Sequence, residues 1–122
     1  MVVDDDEDIR DVLKFILETD GYHVETANDG FDAWRKLHTT DRPSLILLDL
    51  MMPRMDGEEF MKALRTSPFS DIPVVIMSGH QDAGDKSKQL NGNCCLRKPV
   101  EYDELLATVH RFVKNGSRQV IG

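Results

Sequence analysis

Three carboxylates, a hydroxyl and an ammonium are the groups in this chain whose placement could support chemistry. Asp4 and Asp5 follow a short apolar lead over residues 1–3. Asp49 follows an apolar run over 45–48, Ser78 follows another over 73–77, and Lys98 follows 94–97. Taken alone, each has an ordinary explanation. An Asp at a strand end often caps the next turn by bonding its backbone, and an acidic stretch often opens a helix, whose dipole it complements. The coincidence is harder to dismiss, because all these groups stand just past apolar runs that read as strands. In an open α/β sheet the carboxyl ends of the strands form one rim, and ligands bind there. Carboxylates crowded on such a rim repel one another, by about 4 kcal/mol for a pair near 4 Å at an effective dielectric of 20. A divalent cation and an ammonium would relieve that repulsion, and hard oxygen donors select Mg²⁺ or Mn²⁺. With the cation and Lys98 neutralising a phosphoryl group and the Ser78 hydroxyl bonding it, Asp49 is free to act as nucleophile. The chemistry implied is phosphoryl transfer onto an aspartate.

The elements that must hold these groups alternate regularly. Ile9, Val12, Leu13, Ile16 and Leu17 recur at helical spacing, predicting a first helix that Asp20-Gly21 closes. Residues 22–27 alternate as a second strand, and Asn28-Asp29-Gly30 turns into a helix carrying Ala33, Trp34 and Leu37 inward, which Arg42-Pro43 ends. The run over 45–48 and the PVVIM run over 73–77 are continuous, as in strands buried on both faces. Between them, Phe60, Met61 and Leu64 mark a third helix opening at Asp56-Gly57. A fourth helix is expected over 82–90, although Gly84, Asp85 and Ser87 are poor interior formers. A fifth strand over 94–97 precedes a last helix over about 101–114, with Leu105, Val109, Phe112 and Val113 on one face. Five strands alternating with five helices through short connections give an α/β domain with a parallel sheet and helices on both faces.

Bulk properties narrow the function classes. The 122 residues suit one domain with a real core, and a net charge of −7 argues against nucleic-acid binding by this domain. No run is long enough to cross a membrane. Adjacent Cys94 and Cys95 point to opposite faces of a strand, so a bond between them is not expected, and free thiols fit a reducing, cytoplasmic compartment. His23, His38 and His110 lack metal-ligand spacing, and His80 reads as an exposed loop residue.

The segments VVDDDEDIRDVL, LILLDLMMPRMDG, PVVIMSG and CLRKP, in that order, resemble the receiver domains of response regulators in two-component signalling. The resemblance runs over about residues 2–114, leaving 115–122 as a tail or the start of a linker. It implies a flavodoxin-like sheet of order 2-1-3-4-5. It also implies roles: Asp49 as phosphoacceptor, Asp5 as direct Mg²⁺ ligand, and Asp4 acting on the metal mainly through water. The backbone carbonyl of Met51 matches a third protein ligand, Lys98 the residue that pairs with the phosphoryl group, and Ser78 the hydroxyl switch. Pro99 stands where the family commonly has a cis peptide. Cys95 departs from the pattern, standing where the family usually has the Tyr or Phe of the switch. Only residues 1–3 precede the acidic pair, a shorter lead than usual.

The implied partners are a histidine kinase or phosphotransfer protein upstream, and downstream an effector or attached output domain. The protein would be a switch that assists its own phosphorylation and dephosphorylation, signalling through the face of the fourth helix, fifth strand and last helix. Two other classes are open to test. A phosphatase resembling haloacid dehalogenases would need a second acid two residues beyond the nucleophile, where this chain has Met51. A receiver-fold interaction module independent of phosphorylation would not require the acidic pair, Asp49, Ser78 and Lys98 together.

Overall fold

The apolar run ahead of Asp49 forms the middle strand of a five-stranded parallel sheet. The computed structural model describes residues 1–49, 57–79 and 93–113. Within them the strands are β1 (Val2–Val3), β2 (Thr26–Ala27), β3 (Ile46–Asp49), β4 (Val74–Ser78) and β5 (Cys94–Arg97). The helices are α1 (Glu7–Thr19), α2 (Gly30–Leu37), α3 (Gly57–Arg65) and α4 (Tyr102–Val113). The strand order is β2-β1-β3-β4-β5, the flavodoxin-like order. The helix expected over 82–90 lies outside the described residues. No helix among the described residues is long and apolar enough to cross a membrane.

Side chains alternate across each strand, so the sheet builds a core on each face. On one face Val3, Ile46, Leu48, Val74 and Ile76 pack under Ala33 and Leu37 of α2 and Phe60, Met61 and Leu64 of α3. On the other, Val2, Leu47, Val75, Met77 and Leu96 pack under Leu13 and Leu17 of α1 and Leu105, Val109 and Val113 of α4. Every residue of β3 and β4 is buried, which explains why these strands read as continuous apolar runs rather than alternating ones.

Three local expectations need correcting. Val12, expected to face inward, is 56% exposed, because the buried stripe of α1 runs through Leu13 and Leu17. The second strand is only Thr26–Ala27, since β1 offers just Val2 and Val3 to pair with it. α2 ends at Leu37, well before Arg42-Pro43. There the Lys36 carbonyl accepts from the Thr39 and Thr40 amides at 3.1 and 3.0 Å and from the Thr40 hydroxyl at 2.7 Å, so the chain closes on the last turn. The end of α1 follows expectation: Gly21 takes φ +97°, a conformation open to glycine, just after the Asp20 cap.

The acidic stretch has a structural task as well. Asp6 is the N-cap of α1, its carboxylate accepting from the Asp8 and Ile9 amides at 2.9 and 3.3 Å. Asp6→Ala is expected to lower stability by about 1 kcal/mol, the usual worth of such a cap. Urea unfolding measures this, and an unchanged midpoint would show that the cap contributes nothing here.

Candidate functional site

Each group singled out in the sequence reaches the rim by a definite route. β3 ends on Asp49, which pairs in register with Met77, so Ser78 stands one step further along the neighbouring strand. β5 ends on Arg97, opposite Ser78, and the Lys98 amide then donates to the Ser78 carbonyl at 3.0 Å. That bond carries the ladder one residue past β5 and fixes where Lys98 leaves the sheet. The Lys98-Pro99 peptide is cis. At the other side of β3, the Asp4 amide donates to the Ala27 carbonyl at 3.1 Å, extending the two-residue β1 toward the rim.

The short first strand therefore does not leave the acidic pair loose. Asp4 is fully buried, and both its carboxylate oxygens are engaged. Oδ1 accepts from the Asp6 amide at 2.9 Å, and Oδ2 accepts from Lys98 Nζ at 3.0 Å. The same ammonium lies 3.3 Å from Asp49 Oδ1 and so bridges two strands of the rim. Asp49 and Ser78 are buried, with 5% and 2% of their surface exposed, whereas Asp5 is exposed. Carboxylate oxygens of Asp4, Asp5 and Asp49 all lie within 4.8 Å of one another.

Two consequences follow from the electrostatics. Burial pulls the Lys98 ammonium down, but the hydrogen bond to Asp4 and the charges of Asp49 and Asp4 outweigh it, so its pKa is raised above 10.5. Lys98 is thus a fixed positive charge at any physiological pH. Three carboxylates around one ammonium leave two formal negative charges, which one divalent cation would balance. The donor set is oxygen only, and Asp5 faces solvent with no partner among the described residues. These residues fit a hard divalent cation that keeps several waters, with Asp5 open to solvent, Asp49 nearly buried and Asp4 sealed behind them.

The remaining expected residues divide. Cys95 stands in register with Ile76, placing it on the α2–α3 face of the edge strand, while Cys94 packs with the α1–α4 core. Neither thiol is in a disulfide, and both are partly buried. Burial, the neighbouring Cys94 and the Glu104 carboxylate push the Cys95 thiol up, so it remains protonated and weakly nucleophilic at neutral pH. Met51 and His80 lie outside the described residues. Sequence reasoning missed two features. The direct Asp4–Lys98 contact joins positions 94 residues apart. Arg10, read only as part of a helix, donates from Nη1 to the Asp4 carbonyl at 2.7 Å. Its position six residues after Asp4, one turn into a helix that starts at the rim, was the available signal.

Comparison with known proteins agrees with this geometry. The response regulator receiver domain matches residues 1–110 of the chain. The transcriptional regulatory protein CpxR homolog of Haemophilus influenzae is 34% identical over 119 residues, covering 96% of this chain and 51% of that protein. The response regulator MprA of Mycolicibacterium vanbaalenii is 35% identical over 116 residues, covering 93% and 49%. The chain thus spans about half the length of the curated relatives it matches. Among solved structures, Vibrio cholerae chemotaxis protein CheY4 superposes with a TM-score of 0.82 at 32% identity, over 92% of this chain and 95% of that one. The signal receiver domain of a signal transduction histidine kinase from Syntrophus aciditrophicus gives 0.85 at 32% identity, over 96% and 90%. With its sheet order, its rim of carboxylates around one lysine and these relatives in agreement, the chain belongs to the response regulator receiver domain family.

Proposed function

We propose that this chain is a phosphorylation-controlled switch: with Mg²⁺ bound, it accepts a phosphoryl group on Asp49 from the phosphohistidine of a kinase or phosphotransfer protein. One observation supports this above the others. A nearly buried aspartate at the end of the central strand lies 3.3 Å from a lysine that is itself held by a second buried aspartate. A carboxylate that only capped a loop would not need that ammonium.

In this reading an Asp49 oxygen attacks phosphorus, the bond from phosphorus to the donor's imidazole nitrogen breaks, and the imidazole leaves with the electron pair and takes a proton. Asp5 and Asp49, with the main-chain carbonyl of Met51, would hold the cation, and Asp4 would act on it mainly through water; Mn²⁺ would serve similarly. Bound there, the cation neutralises charge on the transferring group. Lys98 pairs with a phosphoryl oxygen, and the Ser78 hydroxyl donates to another. The same groups would assist later hydrolysis. Residues 1–114 form the receiver unit, and 115–122 a tail or the start of a linker.

The signal would leave through the face of the predicted fourth helix, β5 and α4. Driving a two-state element from 1:99 to 99:1 takes about 5.5 kcal/mol, within reach of several charge-assisted bonds at about 1.5–3 kcal/mol each. Cys95 is too small to fill the place of an aromatic ring, so Ser78 and the backbone after it carry the switch. Ser78→Ala is therefore expected to reduce phosphorylation-dependent binding of the downstream partner about tenfold, one charge-assisted bond's worth, with Cys95→Tyr changing it little. Partner affinity measured on both variants decides. A strong effect of Cys95→Tyr with none from Ser78→Ala would reverse the assignment.

The test of the function as a whole is incubation with acetyl phosphate. A hydroxylamine-sensitive adduct that forms with Mg²⁺ and fails to form with a chelator is expected; no adduct under either condition would sink the reading.

A further inference from the structure

Among the described residues, Arg10 is a cation beside the rim that neither the nucleophile nor the phosphoryl pocket uses. Arg10 closes the first turn of α1, its amide donating to the Asp6 carbonyl at 3.0 Å. Its side chain reaches back six residues and donates from Nη1 to the Asp4 carbonyl at 2.7 Å. Asp4 is then gripped at every polar atom: amide to Ala27, carboxylate to the Asp6 amide and Lys98, carbonyl to Arg10. Asp5 shows the opposite pattern, since its exposed carboxylate has no partner among the described residues. What aims it must come through the main chain. The Asp4 carbonyl and the Asp5 amide share one planar peptide group, so anchoring that oxygen fixes the plane from which the Asp5 side chain departs. A charge-assisted bond is about twice as strong as a neutral one, and the Arg10 backbone that makes it is itself pinned by the helix.

We infer that Arg10 is a positioning residue for the acidic pair, setting the direction of Asp5 through the Asp4–Asp5 peptide. The inference rests on the reading of Asp5 as a ligand of the divalent cation. Two effects compete when Arg10 is removed. Loss of a positive charge near a cation site would tighten binding, whereas loss of orientation would weaken it. The guanidinium is directed at a backbone oxygen and is partly open to solvent, where screening blunts its long-range field. Orientation should win.

The test is Mn²⁺ titration followed by the loss of the free-ion electron paramagnetic resonance signal, alongside thermal melts in chelator. Arg10→Met keeps the apolar stem and removes the donor. It is expected to weaken Mn²⁺ binding about tenfold, as loss of a group that orients a metal ligand commonly does. Arg10→Lys restores a donor without the rigid fork and should recover part of that loss. A purely structural arginine would lower the melt and leave Mn²⁺ affinity alone; affinity for Arg10→Met at or above the wild-type level overturns the inference. If the melt shows Arg10→Met unfolded, Arg10→Lys decides, and undiminished affinity there overturns it. Asp5→Asn separates the two levels. Its failure to weaken Mn²⁺ binding would remove the underlying ligand assignment, whereas a normal loss there with none in the Arg10 variants removes only the positioning role.

Discussion

Asp49→Asn is expected to reduce phosphoryl uptake from acetyl phosphate by more than about a thousandfold, the scale on which removal of a covalent nucleophile acts. The amide offers neither a charge nor a nucleophilic oxygen lone pair of comparable basicity, and among the described residues no other carboxylate stands in its place. Asp4 is fully buried with both oxygens bonded, so it is not free to attack. Asp5 is exposed, and in the proposed site the cation would occupy its lone pairs. The substitution should leave the fold intact, because Lys98 retains its 3.0 Å partner in Asp4 and one of three mutually repelling carboxylates is gone. A melt in chelator no lower than wild type, together with lost labelling, is the expected pair of results. Labelling at the wild-type rate would place the acceptor elsewhere.

The second large effect concerns stability. Lys98→Ala removes the ammonium from a carboxylate with no solvent exposure and from a second with 7% side-chain exposure. Breaking a dry ion pair by deleting one partner typically costs about 3–5 kcal/mol. Lys98 keeps 23% of its side chain in solvent, so water partly compensates, and a loss of about 2–3 kcal/mol is expected. Urea unfolding in chelator would read it. Asp4→Asn in the same chain should recover most of the loss, since the penalty comes from an uncompensated charge rather than from lost packing. If the double variant is no more stable than Lys98→Ala, the charge argument is wrong. The pH dependence has a definite sign. The folded pKa of Lys98 lies above the ordinary 10.5, so its stabilisation is complete below that value. It is lost as pH rises through the higher folded value. Acid does not act through this ammonium.

How much of this was legible in the residues varies with the element. β3, β4 and β5 read clearly because two are buried on both faces and one is bounded by Asn93 and the Lys98-Pro99 pair; their bounds agree with the reading to within a residue. α3 and α4 were equally plain, their apolar stripes being long and regular. β2 was overread, since alternation over 22–27 describes an extended approach to the sheet, whereas pairing depends on how much strand β1 presents. Val12 was misplaced for a related reason. Periodicity defines a stripe, but its edge is set by which neighbours cover it, and Val12 and Phe15 lie beyond the cover α4 and the sheet provide.

The sequence by itself determined the alternation of strands and helices, hence the parallel sheet. It also determined that Asp4, Asp5, Asp49, Ser78 and Lys98 each stand at or just past the end of a strand and so meet on one rim. That follows because period and strand polarity are local properties of the chain. Only the tertiary structure decided how the rim is wired. Lys98 is spent on Asp4 as well as Asp49, Asp4 is sealed while Asp5 is open, and Arg10 holds the peptide between them. Those facts depend on distances between residues as many as 94 positions apart and on which carboxylate the neighbouring elements bury. Apart from the six-residue step from Asp4 to Arg10, no spacing along the chain encodes them. They arise when β1, β3, β4 and β5 are packed side by side and the residues at their ends compete for the same few ångströms.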